Sequence, residues 1–535
     1  MSHYPTHKPK FSLTTPLYYV NDIPHIGSAY TTMVADVIAR FKRLQGYSVL
    51  LITGTDEHGQ KIQRTAEAKG LPPQEHCDQI AASFEALWER LDIQYDRFSR
   101  TTSGRHQAIV KEFFQRVWDR GDIYLAQQQG WYCVACEEFK EERELVGGYC
   151  PIHTNLKAEW RDEENYFFRL SKYQPQLEEL YERQPDFIQP ESRRNEVLNF
   201  VKRGLQDFSI SRLNLEWGFP VPADPKHTIY VWFDALLGYV TALLDPQSEP
   251  TLENALSQWW PIDLHLIGKD ILRFHAVYWP AMLLSAGLPL PGQVFGHGFL
   301  TKDGHKMGKS LGNTIDPFEL VSRYGPDAVR YYFLKEIEFG RDGDFNETRF
   351  VNILNADLAD DLGNLLNRTL GMVNKYCQGK GPQLSGADIP PDNPLKQVGL
   401  ALSDRALQAY QGLRFHQACE EIFTLIRASN KYIDESAPWS LFKQGKQGEV
   451  EQVLYSVLES IRLSAYLLSP IIPNLSSDIY QQLGFELDFN DRSVFEEAAC
   501  KQQHAKWGRL SASQNLSKPR PIFSKLELPL NNFSF

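Results

Sequence analysis

A short loop between a strand-like run and a long helical pattern restricts how this chain can fold. Residues 10–15 are β-prone, and from Met33 onward apolar side chains recur every three or four residues, as in an amphipathic helix. Pro24 disfavours helix at the residue before it, while Gly27 and Ser28 offer a bare backbone and a capping hydroxyl where the helix begins. The segment therefore predicts a strand, a tight loop and a helix in that order.

The start of this predicted helix is a candidate phosphate site. N–H groups in the first turn of a helix have no partner within the helix and attract anions, and His25 stands beside them as a further donor. Taken alone, an ordinary loop histidine is the more frequent explanation, because strand–loop–helix units with a stray histidine are common. The segments that follow reverse that preference.

The composition fits a large protein with several domains. The 535 residues are enough for three or more domains of about 100–200 residues each. The net charge of −11 is not that of a globally basic nucleic-acid binder, although a local basic patch can still bind RNA. No apolar run reaches the ~18 residues that a membrane helix needs, and no secretory signal is visible. Seven cysteines favour reduced thiols over a disulfide framework. We therefore expect a cytoplasmic protein that is not associated with a membrane.

Polar residues follow the first buried strand. Residues 48–53 form a short continuous apolar run, as expected of a strand inside a parallel sheet, and the polar cluster 54–59 comes directly after it. Ligands of open α/β sheets bind at the carboxyl ends of strands, so Asp56 and His58 join His25 as candidate site residues. The other explanation for Asp56 is a cap on the helix predicted at 60–69.

Similar patterns return in the second half of the chain. Residues 228–235 predict a strand that runs into Asp234, and residues 263–270 predict another that ends in a glycine, a cation and an acid. Residues 292–300 predict a last strand, which leads into a glycine-rich basic loop at 301–310.

The chain between these halves has a different texture. Residues 84–119 predict amphipathic helix, 121–165 consist of short β-prone pieces, and 172–203 return to helix. Residues 220–225 predict a linker, so the whole segment resembles an insertion in an α/β domain. Beyond 349 the pattern is mostly helical.

Four residues in the inserted segment have the spacing of a structural zinc site. Two pairs of ligands, each with two residues between its members, are separated by a short glycine-containing loop. Four ligands complete a tetrahedron, so the metal would stabilise the insertion and would not react. The predicted ligands are Cys133, Cys136, Cys150 and His153.

Two short motifs resemble the signature pair of the class I aminoacyl-tRNA synthetases. Residues 25–28 read His-Ile-Gly-Ser and residues 306–310 read Lys-Met-Gly-Lys-Ser, where the family has His-Ile-Gly-His and Lys-Met-Ser-Lys-Ser. Five further segments, in order along the chain, resemble the methionyl-tRNA synthetases: 18–21, 53–59, 230–235, 265–271 and 295–298. The resemblance covers residues 11 to at least 470.

The chain departs from each of the two signatures at one position. Ser28 replaces the last histidine of the first motif, and Gly308 replaces the first serine of the second. Ser28 can still donate a hydrogen bond to a phosphate but cannot supply an imidazolium, and Gly308 makes the loop more flexible.

The resemblance implies an α/β multidomain fold with a Rossmann-like, doubly wound parallel sheet. The implied activity is ATP-dependent conversion of L-methionine to methionyl-adenylate, followed by transfer to the 2′-hydroxyl of the terminal adenosine of tRNA(Met). It also implies Mg²⁺ with the ATP and one structural Zn²⁺ per chain. The expected regions are a catalytic domain in two halves (1–118 and 226–300), a connective insertion with a zinc knuckle (119–225), a signature loop with a stem-contact region (301–349) and a helical-bundle anticodon-binding domain (350–535).

The resemblance also implies which side chains form the two substrate sites. The residues expected to act in catalysis are His25, Gly27, Ser28, Lys306 and Lys309. Those expected to bind ATP are His25, Ser28, Gly268, Asp270, His297, Leu300, Lys306 and Lys309. Those expected to line the methionine pocket are Leu17, Tyr19, Asp56, Trp232, Ala235, Leu236, Tyr239, Ile271 and His275, with Asp56 binding the substrate ammonium.

Three residues of the helical region match positions that read the anticodon in the family. Asn364 and Arg368 are one helical turn apart and so share a face, while Trp439 follows a proline at a helix start and could stack on a base. The other explanation is a surface hydrogen bond and a tryptophan packed as a hydrophobic staple.

The sequence also leaves several alternative assignments of the protein open. The chain could be a synthetase for valine, isoleucine, leucine or cysteine, or a non-catalytic zinc-containing RNA-binding protein on a synthetase scaffold. A short insertion leaves little room for an editing domain, which disfavours the valine, isoleucine and leucine enzymes. An aromatic pocket without a catalytic metal disfavours the cysteine enzyme. We see no additional tRNA-binding module of the kind that mediates dimerisation, which predicts a monomer.

Overall fold

The structure is a computed structural model. It describes residues 8–134, 137–151, 157–213, 215–307, 313–495 and 504–527, apart from the side chains of Lys306 and Phe495.

The first part of the chain alternates strands and helices. Its strands are β1 (Lys10–Tyr19), β2 (Ser48–Asp56) and β3 (Arg97–Arg100). Its helices are α1 (Ile26–Leu44), α2 (Gln60–Ala68), α3 (Pro73–Arg90) and α4 (Gly104–Asp119).

The inserted segment is mainly antiparallel sheet with two helices. Its strands are β4 (Ile123–Cys133), β5 (Glu138–Lys140), β6 (Glu159–Phe168), β7 (Ile188–Gln189), β8 (Phe208–Ser209), β9 (Ser211–Leu213) and β10 (Pro220–Val221). Its helices are α5 (Gln174–Arg183) and α6 (Glu191–Lys202), and short 3₁₀ turns span Glu142–Glu144 and Leu170–Tyr173.

The chain then returns to the central domain. The strands of this part are β11 (Asp224–Ile229), β12 (Leu264–Gly268) and β13 (Gln293–His297). The helices are α7 (Val231–Ala235), α8 (Gly238–Thr241), α9 (Leu252–Leu256) and α10 (Trp279–Ala286), with a 3₁₀ turn at Lys269–Ile271 and a π-helical turn at Phe274–Tyr278.

A small sheet and a helical region complete the structure. The sheet consists of β14 (Leu300–Lys302), β15 (His305–Lys306) and β16 (Gly343–Phe345), and α11 (Pro317–Tyr324) and α12 (Pro326–Glu336) connect its last two strands. The helices that follow are α13 (Glu347–Leu354), α14 (Asn364–Tyr376), α15 (Pro394–Gln411), α16 (Phe415–Ser436), α17 (Pro438–Lys443), α18 (Gln447–Leu468) and α19 (Pro473–Gln482). A π-helical stretch, Asn355–Gly363, joins α13 to α14, and a 3₁₀ turn spans Arg492–Phe495.

The central sheet has six parallel strands in the order β3-β2-β1-β12-β13-β7. The order reverses between β1 and β12, which makes that junction the topological switch point where open α/β sheets bind ligands. The edge strand β7 comes from the inserted segment and pairs with β13. The expected Rossmann-like architecture, followed by a helical region, is confirmed.

Helix α1 joins the sheet to the helical region through a buried charge cluster. Asp36 of α1 accepts hydrogen bonds from Arg40 (2.7 Å) and from Arg330 of α12 (2.6 Å). Burial raises the pKa of Asp36, but the two guanidinium groups outweigh it and bring the pKa to about 2. Arg330 also donates to the carbonyls of Pro470 and Ile471. Helix α1, which His25 caps, is therefore fixed against α12 and the segment that contains Pro470 and Ile471.

Three secondary-structure expectations were wrong. Residues 228–235 do not form one strand: β11 ends at Ile229, pairs antiparallel with β9, and is followed by α7, which carries Asp234. Residues 220–225 are not a linker, because β10 and β11 pair in a tight antiparallel hairpin. The helical pattern at 84–119 is interrupted by β3, which is short enough to be missed and pairs with β2 at the sheet edge.

No helix among the described residues combines the length and the apolar character needed to span a membrane.

Candidate active site

Several of the predicted site residues lie at the carboxyl ends of β1, β2, β12 and β13, on both sides of the switch point. Tyr19 and Asp56 are register partners at the ends of β1 and β2. Gly268 and His297 are register partners at the ends of β12 and β13. The start of α1 faces the same edge. Residues that are far apart in the sequence are therefore brought to one crevice.

His25 caps α1 with its own side chain. Its Nδ1 accepts hydrogen bonds from the backbone N–H groups of Gly27 (3.0 Å) and Ser28 (3.3 Å). An atom that accepts these bonds carries no proton, so the proton of the neutral ring is on Nε2. The capping role expected of the Ser28 hydroxyl was therefore wrong, because Ser28 is the third residue of the helix. Two of the first-turn N–H groups expected to be free for an anion are bonded to the imidazole.

Gly27 is required by the position of that ring. A Cβ at position 27 would lie 2.9 Å from both Cε1 and Nδ1 of His25, closer than carbon atoms tolerate. Ser28 is buried, and its Oγ lies 3.5 Å from His25 Nε2. The bare backbone of Gly27 therefore lets the imidazole fold over the helix start, with the Ser28 hydroxyl beside its outer nitrogen.

His297 fixes α1 from the side of β13. Its Nδ1 lies 2.8 Å from the carbonyl of Gly298 and its Nε2 lies 2.7 Å from the hydroxyl of Thr31. A carbonyl cannot donate, so Nδ1 carries the proton and Thr31 donates to Nε2. Burial lowers the pKa of His297 to about 4, so the ring is neutral at pH 7.

Asp270 and Gly268 lie together after β12. The side chain of Asp270 is exposed at the crevice, and a Cβ at position 268 would lie 2.5 Å from its Oδ1. The glycine therefore leaves room for the carboxylate to lie over the strand end. Leu300 is buried at the start of β14 and contributes to the core, and Lys269 forms an ion pair with Asp342 at 2.6 Å.

The second signature is only partly described. Lys306 is the last residue of β15, which pairs antiparallel with β14 and places the Lys306 backbone opposite Thr301, so the hairpin turns the chain back toward the start of β14. The side chain of Lys306 and the whole of Lys309 lie outside the described residues.

Asp56 is buried with an unsatisfied carboxylate oxygen. Its Oδ1 has no hydrogen-bond partner among the described residues, and the side chain is 5% exposed. Burial, together with the neighbouring carboxylates of Asp234 and Glu137, raises its pKa well above the ordinary value. Asp56 does not cap α2, whose N-cap is Gly59. A buried carboxylate with one unpaired oxygen is suited to receive a cationic ligand.

Asp234 supports this wall through two histidines. It accepts from His58 Nδ1 at 2.6 Å and from His106 Nε2 at 2.7 Å. Burial raises its pKa, but the two imidazoles outweigh burial and bring the pKa to about 2. Asp234 therefore stays ionised beside Asp56, and its charge is shared between two ring N–H groups.

Aromatic residues predicted to line the methionine pocket contact one another and form an aromatic wall. The hydroxyl of Tyr239 is 2.8 Å from Nε2 of His275, and Nδ1 of that ring is 3.1 Å from the carbonyl of Ile271. Trp232 stacks on Phe274 with ring centroids 3.9 Å apart. Phe274 and His275 lie on a π-helical turn, and such turns are frequent at functional sites.

The remaining methionine-site residues fall into two groups. Leu17 and Tyr19 are half-buried on β1, and Leu17 packs so closely on Gly238 that a Cβ there would lie 2.3 Å from its Cδ1. Ala235 and Leu236 are buried at the end of α7, where Leu236 contributes to the core.

The predicted zinc ligands are half described. Cys133 at the end of β4 and Cys150 are both buried, whereas Cys136 and His153 lie outside the described residues. Within the described ranges, no three histidine, cysteine or acidic side chains form a cation site.

The three anticodon candidates lie on one side of the helical region. Arg368 of α14 donates to Asp434 at 2.9 Å and to the Asn430 side chain at 3.1 Å, both on α16. Asn364 begins α14. Trp439 is the second residue of α17, just after α16, and 39% of its surface is exposed. Four apolar side chains of the same helical segment are buried: Leu358, Leu362, Leu365 and Val373.

The chain resembles known proteins over nearly its whole length. A family model described as "tRNA synthetases class I (M)" matches residues 11–159 and 152–370, and one described as "Anticodon binding domain of methionyl tRNA ligase" matches residues 399–528. The methionine–tRNA ligase of Synechocystis sp. is 74% identical over 523 residues, covering 97% of this chain and 98% of the relative. That of Nostoc sp. is 70% identical over 522 residues, with the same coverage. The chain belongs to the methionyl-tRNA synthetase family.

A solved structure extends the likeness to three dimensions. The Mycobacterium tuberculosis methionyl-tRNA synthetase, described in complex with methionyl-adenylate, superposes with a TM-score of 0.88 at 39% identity. The match covers 96% of this chain and 99% of that chain. Membership of the methionyl-tRNA synthetases confirms the expected class I ligase, and decides against the valine, isoleucine, leucine and cysteine types and a non-catalytic scaffold.

Three polar residues at the crevice of this methionyl-tRNA synthetase were not predicted as site residues from the sequence. Asp234 was noted only as the end of a supposed strand, and its bonds to two histidines depend on tertiary contacts. His106 lies in an ordinary amphipathic helix pattern and carries no local signal. Glu137 stands next to a predicted zinc ligand, so its sequence context pointed to the insertion and away from the pocket.

Proposed function

We propose that the crevice at the switch point joins methionine to ATP, with the two reactants held from opposite ends of one strand–loop–helix segment. The chain is a methionine–tRNA ligase, and the division of labour among its residues is the proposal. The observation that carries it is the unpaired carboxylate oxygen of Asp56, buried beside Tyr19 and within the same crevice as the His25 cap.

Asp56 would receive the ammonium group of methionine. A buried carboxylate with one unpaired oxygen is stabilised by a cation, and charge-assisted hydrogen bonds are short and strong. The Asp234 network holds His58 in place behind it, which keeps the anionic wall fixed before the substrate arrives.

The aromatic wall would receive the thioether. Tyr239, Trp232 and His275 surround an apolar space with polarisable ring edges, and sulfur against such edges gains about 0.3–1.5 kcal/mol. Because burial lowers the pKa of His275 to about 4, its ring is neutral and does not repel the substrate ammonium.

The start of α1 would receive the phosphates of ATP. The methionine carboxylate attacks the α-phosphorus, and negative charge builds on the phosphate oxygens as pyrophosphate leaves. Nε2 of His25, which carries the ring proton, and the neighbouring Ser28 hydroxyl would then donate to those oxygens. Asp270 would accept from the ribose hydroxyls, and Gly268 leaves the space for it. Lys306 and Lys309 would neutralise pyrophosphate, and Mg²⁺ would accompany the ATP.

ATP–pyrophosphate exchange tests this division. Exchange should depend on methionine, and Asp56→Asn should raise the KM for methionine by about 100-fold while changing the KM for ATP by less than about threefold. Asp270→Asn is the matched variant at the other substrate and should give the reverse pattern. Parallel changes of both KM values in both variants would contradict the proposed roles.

The helical region would bind the anticodon of tRNA(Met). An exposed tryptophan beside an arginine and an asparagine offers a stacking surface and hydrogen-bond donors, which suit the unstacked bases of an RNA loop. The packing of Arg368 against α16, at the end that leads into Trp439, supports a shared surface.

We also propose one structural Zn²⁺ held by Cys133, Cys136, Cys150 and His153. The burial of Cys133 and Cys150 supports this, because two thiols withdrawn from water at the required spacing suit a closed tetrahedral site. Elemental analysis should find about one zinc per chain. Cys133→Ser should lose the metal.

The candidate side chains of both substrate sites that the structure describes come from a single chain, which supports a working monomer. We propose that this monomer acts in the cytoplasm. Sedimentation velocity at micromolar protein would measure the mass of the active species. Activity confined to a dimer fraction would contradict the monomer.

A further inference from the structure

Glu137 reaches from the inserted segment into the methionine side of the crevice. It precedes β5 in the insertion, yet its carboxylate is buried, with 5% of the residue exposed. Its Oε1 accepts from the hydroxyl of Tyr19 at 3.0 Å and from the backbone N–H of Lys61 at 2.9 Å. One oxygen of the insertion therefore holds both the end of β1 and the start of α2.

The fold is shaped around this carboxylate. A Cβ at Gly59 would lie 2.5 Å from both carboxylate oxygens of Glu137, and the backbone of Gly59 has φ +114°, which favours glycine. Glu137 itself has φ +55°, a left-handed conformation that is uncommon for a side chain of its kind. Arg212 of β9 donates to the Glu137 carbonyl at 3.2 Å and so holds the strained turn. Backbone strain of this type persists where the surroundings enforce it.

The two groups that Glu137 holds flank Asp56. Tyr19 is the register partner of Asp56, and Lys61 lies just after the polar cluster 54–59 that contains Asp56. We propose that Glu137 is a positioning residue for methionine, because it fixes the Tyr19 ring and the segment after Asp56 in the geometry of the pocket. The insertion thereby sets the shape of the amino-acid site without contacting the reacting atoms. This inference rests on the proposed roles of Tyr19 and Asp56 in methionine binding.

Geometry and charge can be separated at this position. Both hydrogen bonds end on the same oxygen, so a glutamine keeps an acceptor for both, whereas an aspartate keeps the charge but withdraws the oxygen by one methylene. Glu138→Ala is the matched control, since Glu138 is adjacent, belongs to the same insertion and pairs with Lys140.

The test is exchange kinetics with each substrate varied, on the full chain. Glu137→Ala and Glu137→Asp should raise the KM for methionine by about tenfold, as expected for a lost buried hydrogen bond, with the KM for ATP and kcat within about threefold. Glu137→Gln and Glu138→Ala should stay within about threefold of the unaltered chain in both KM values. In the background of Tyr19→Phe, Glu137→Ala should add less than it does alone, because the shared contact is already gone.

Specific outcomes would overturn the proposal. Equal changes in the two KM values, or a Glu137→Gln variant as impaired as Glu137→Asp, would show that the residue acts through general stability or through charge. If Glu137→Ala does not accumulate as folded protein, the comparison of the Asp and Gln variants decides the question. An unchanged methionine KM in Asp56→Asn would instead contradict the pocket itself, whereas a raised KM in Asp56→Asn and an unchanged one in Glu137→Asp would reject only the role of Glu137.

Discussion

The hydroxyl of Tyr239 donates to Nε2 of His275 across 2.8 Å, because Nδ1 of the same ring donates to the carbonyl of Ile271. Both ring nitrogens are thus satisfied in the neutral form. A proton added to Nε2 would face the tyrosine oxygen and displace its hydrogen bond, in a site where both side chains are buried. Burial accordingly lowers the pKa of His275 to about 4.

This depressed pKa makes the protein less stable in mild acid. The unfolded histidine binds a proton below its ordinary value of about 6.5, whereas the folded one stays neutral until about pH 4. The unfolded state therefore binds more protons between these values, and the free energy of unfolding falls as the pH falls through that window. His275 alone should account for about 2 kcal/mol of loss between pH 7 and pH 5. Denaturant unfolding of the unaltered chain and of His275→Gln at both pH values measures it, and the difference between the two chains isolates this residue from others that titrate. Equal losses in both chains would contradict the assignment.

Asp56 should cost stability when no substrate is bound. Its carboxylate is buried with one oxygen unpaired, and both burial and the neighbouring carboxylates of Asp234 and Glu137 raise its pKa. Asp56→Asn removes the buried charge and should raise the melting temperature of the substrate-free protein by about 1–3 °C. The same variant should no longer be stabilised by added methionine. Thermal melting with and without methionine measures both effects, and a lower melting temperature without substrate would contradict this account.

Gly27 should be intolerant of a side chain for a reason specific to His25. A Cβ at position 27 would push the imidazole off the helix start, which removes a cap worth about 1 kcal/mol and displaces the proposed phosphate donor. We expect Gly27→Ala to lower ATP–pyrophosphate exchange by about 100-fold. Gly104→Ala is the matched control, because Gly104 also lies in the first turn of a helix and a Cβ there meets nothing within 4 Å. Exchange lost equally in both variants would point to a general helix effect.

The sequence indicated the architecture well where periodicity and order along the chain carry the information. The run before Leu17, the helix after His25 and the apolar run before Asp56 are all local patterns, and they predicted β1, α1 and β2. The strand expected through Asp234 was wrong because an apolar run without a clear period does not distinguish a buried strand from a strand followed by a helical turn.

The polar partners within the site were beyond local patterns. The cap on α1 is formed by the His25 ring and not by a hydroxyl, since only the folded loop shows that the imidazole reaches back over Gly27. His106 and Glu137 meet the crevice through contacts more than 40 residues distant in the chain, and a single sequence contains no signal for such pairs.

Trp439 should matter for tRNA and not for adenylate formation. Its side chain is 39% exposed at the start of α17, so its removal creates no buried cavity, while stacking on an anticodon base is worth about 1–3 kcal/mol. We expect Trp439→Ala to lower kcat/KM for aminoacylation of tRNA(Met) by about 10–100-fold and to leave exchange unchanged. Phe442→Ala is the matched control, because Phe442 is a similarly exposed aromatic residue on the same helix that packs against the ring of Tyr376. If both variants lose aminoacylation equally, the surface as a whole and not a stacked base would explain the loss. Equal loss in exchange and aminoacylation would show that Trp439 supports the fold, as a tryptophan packed at a helix start does.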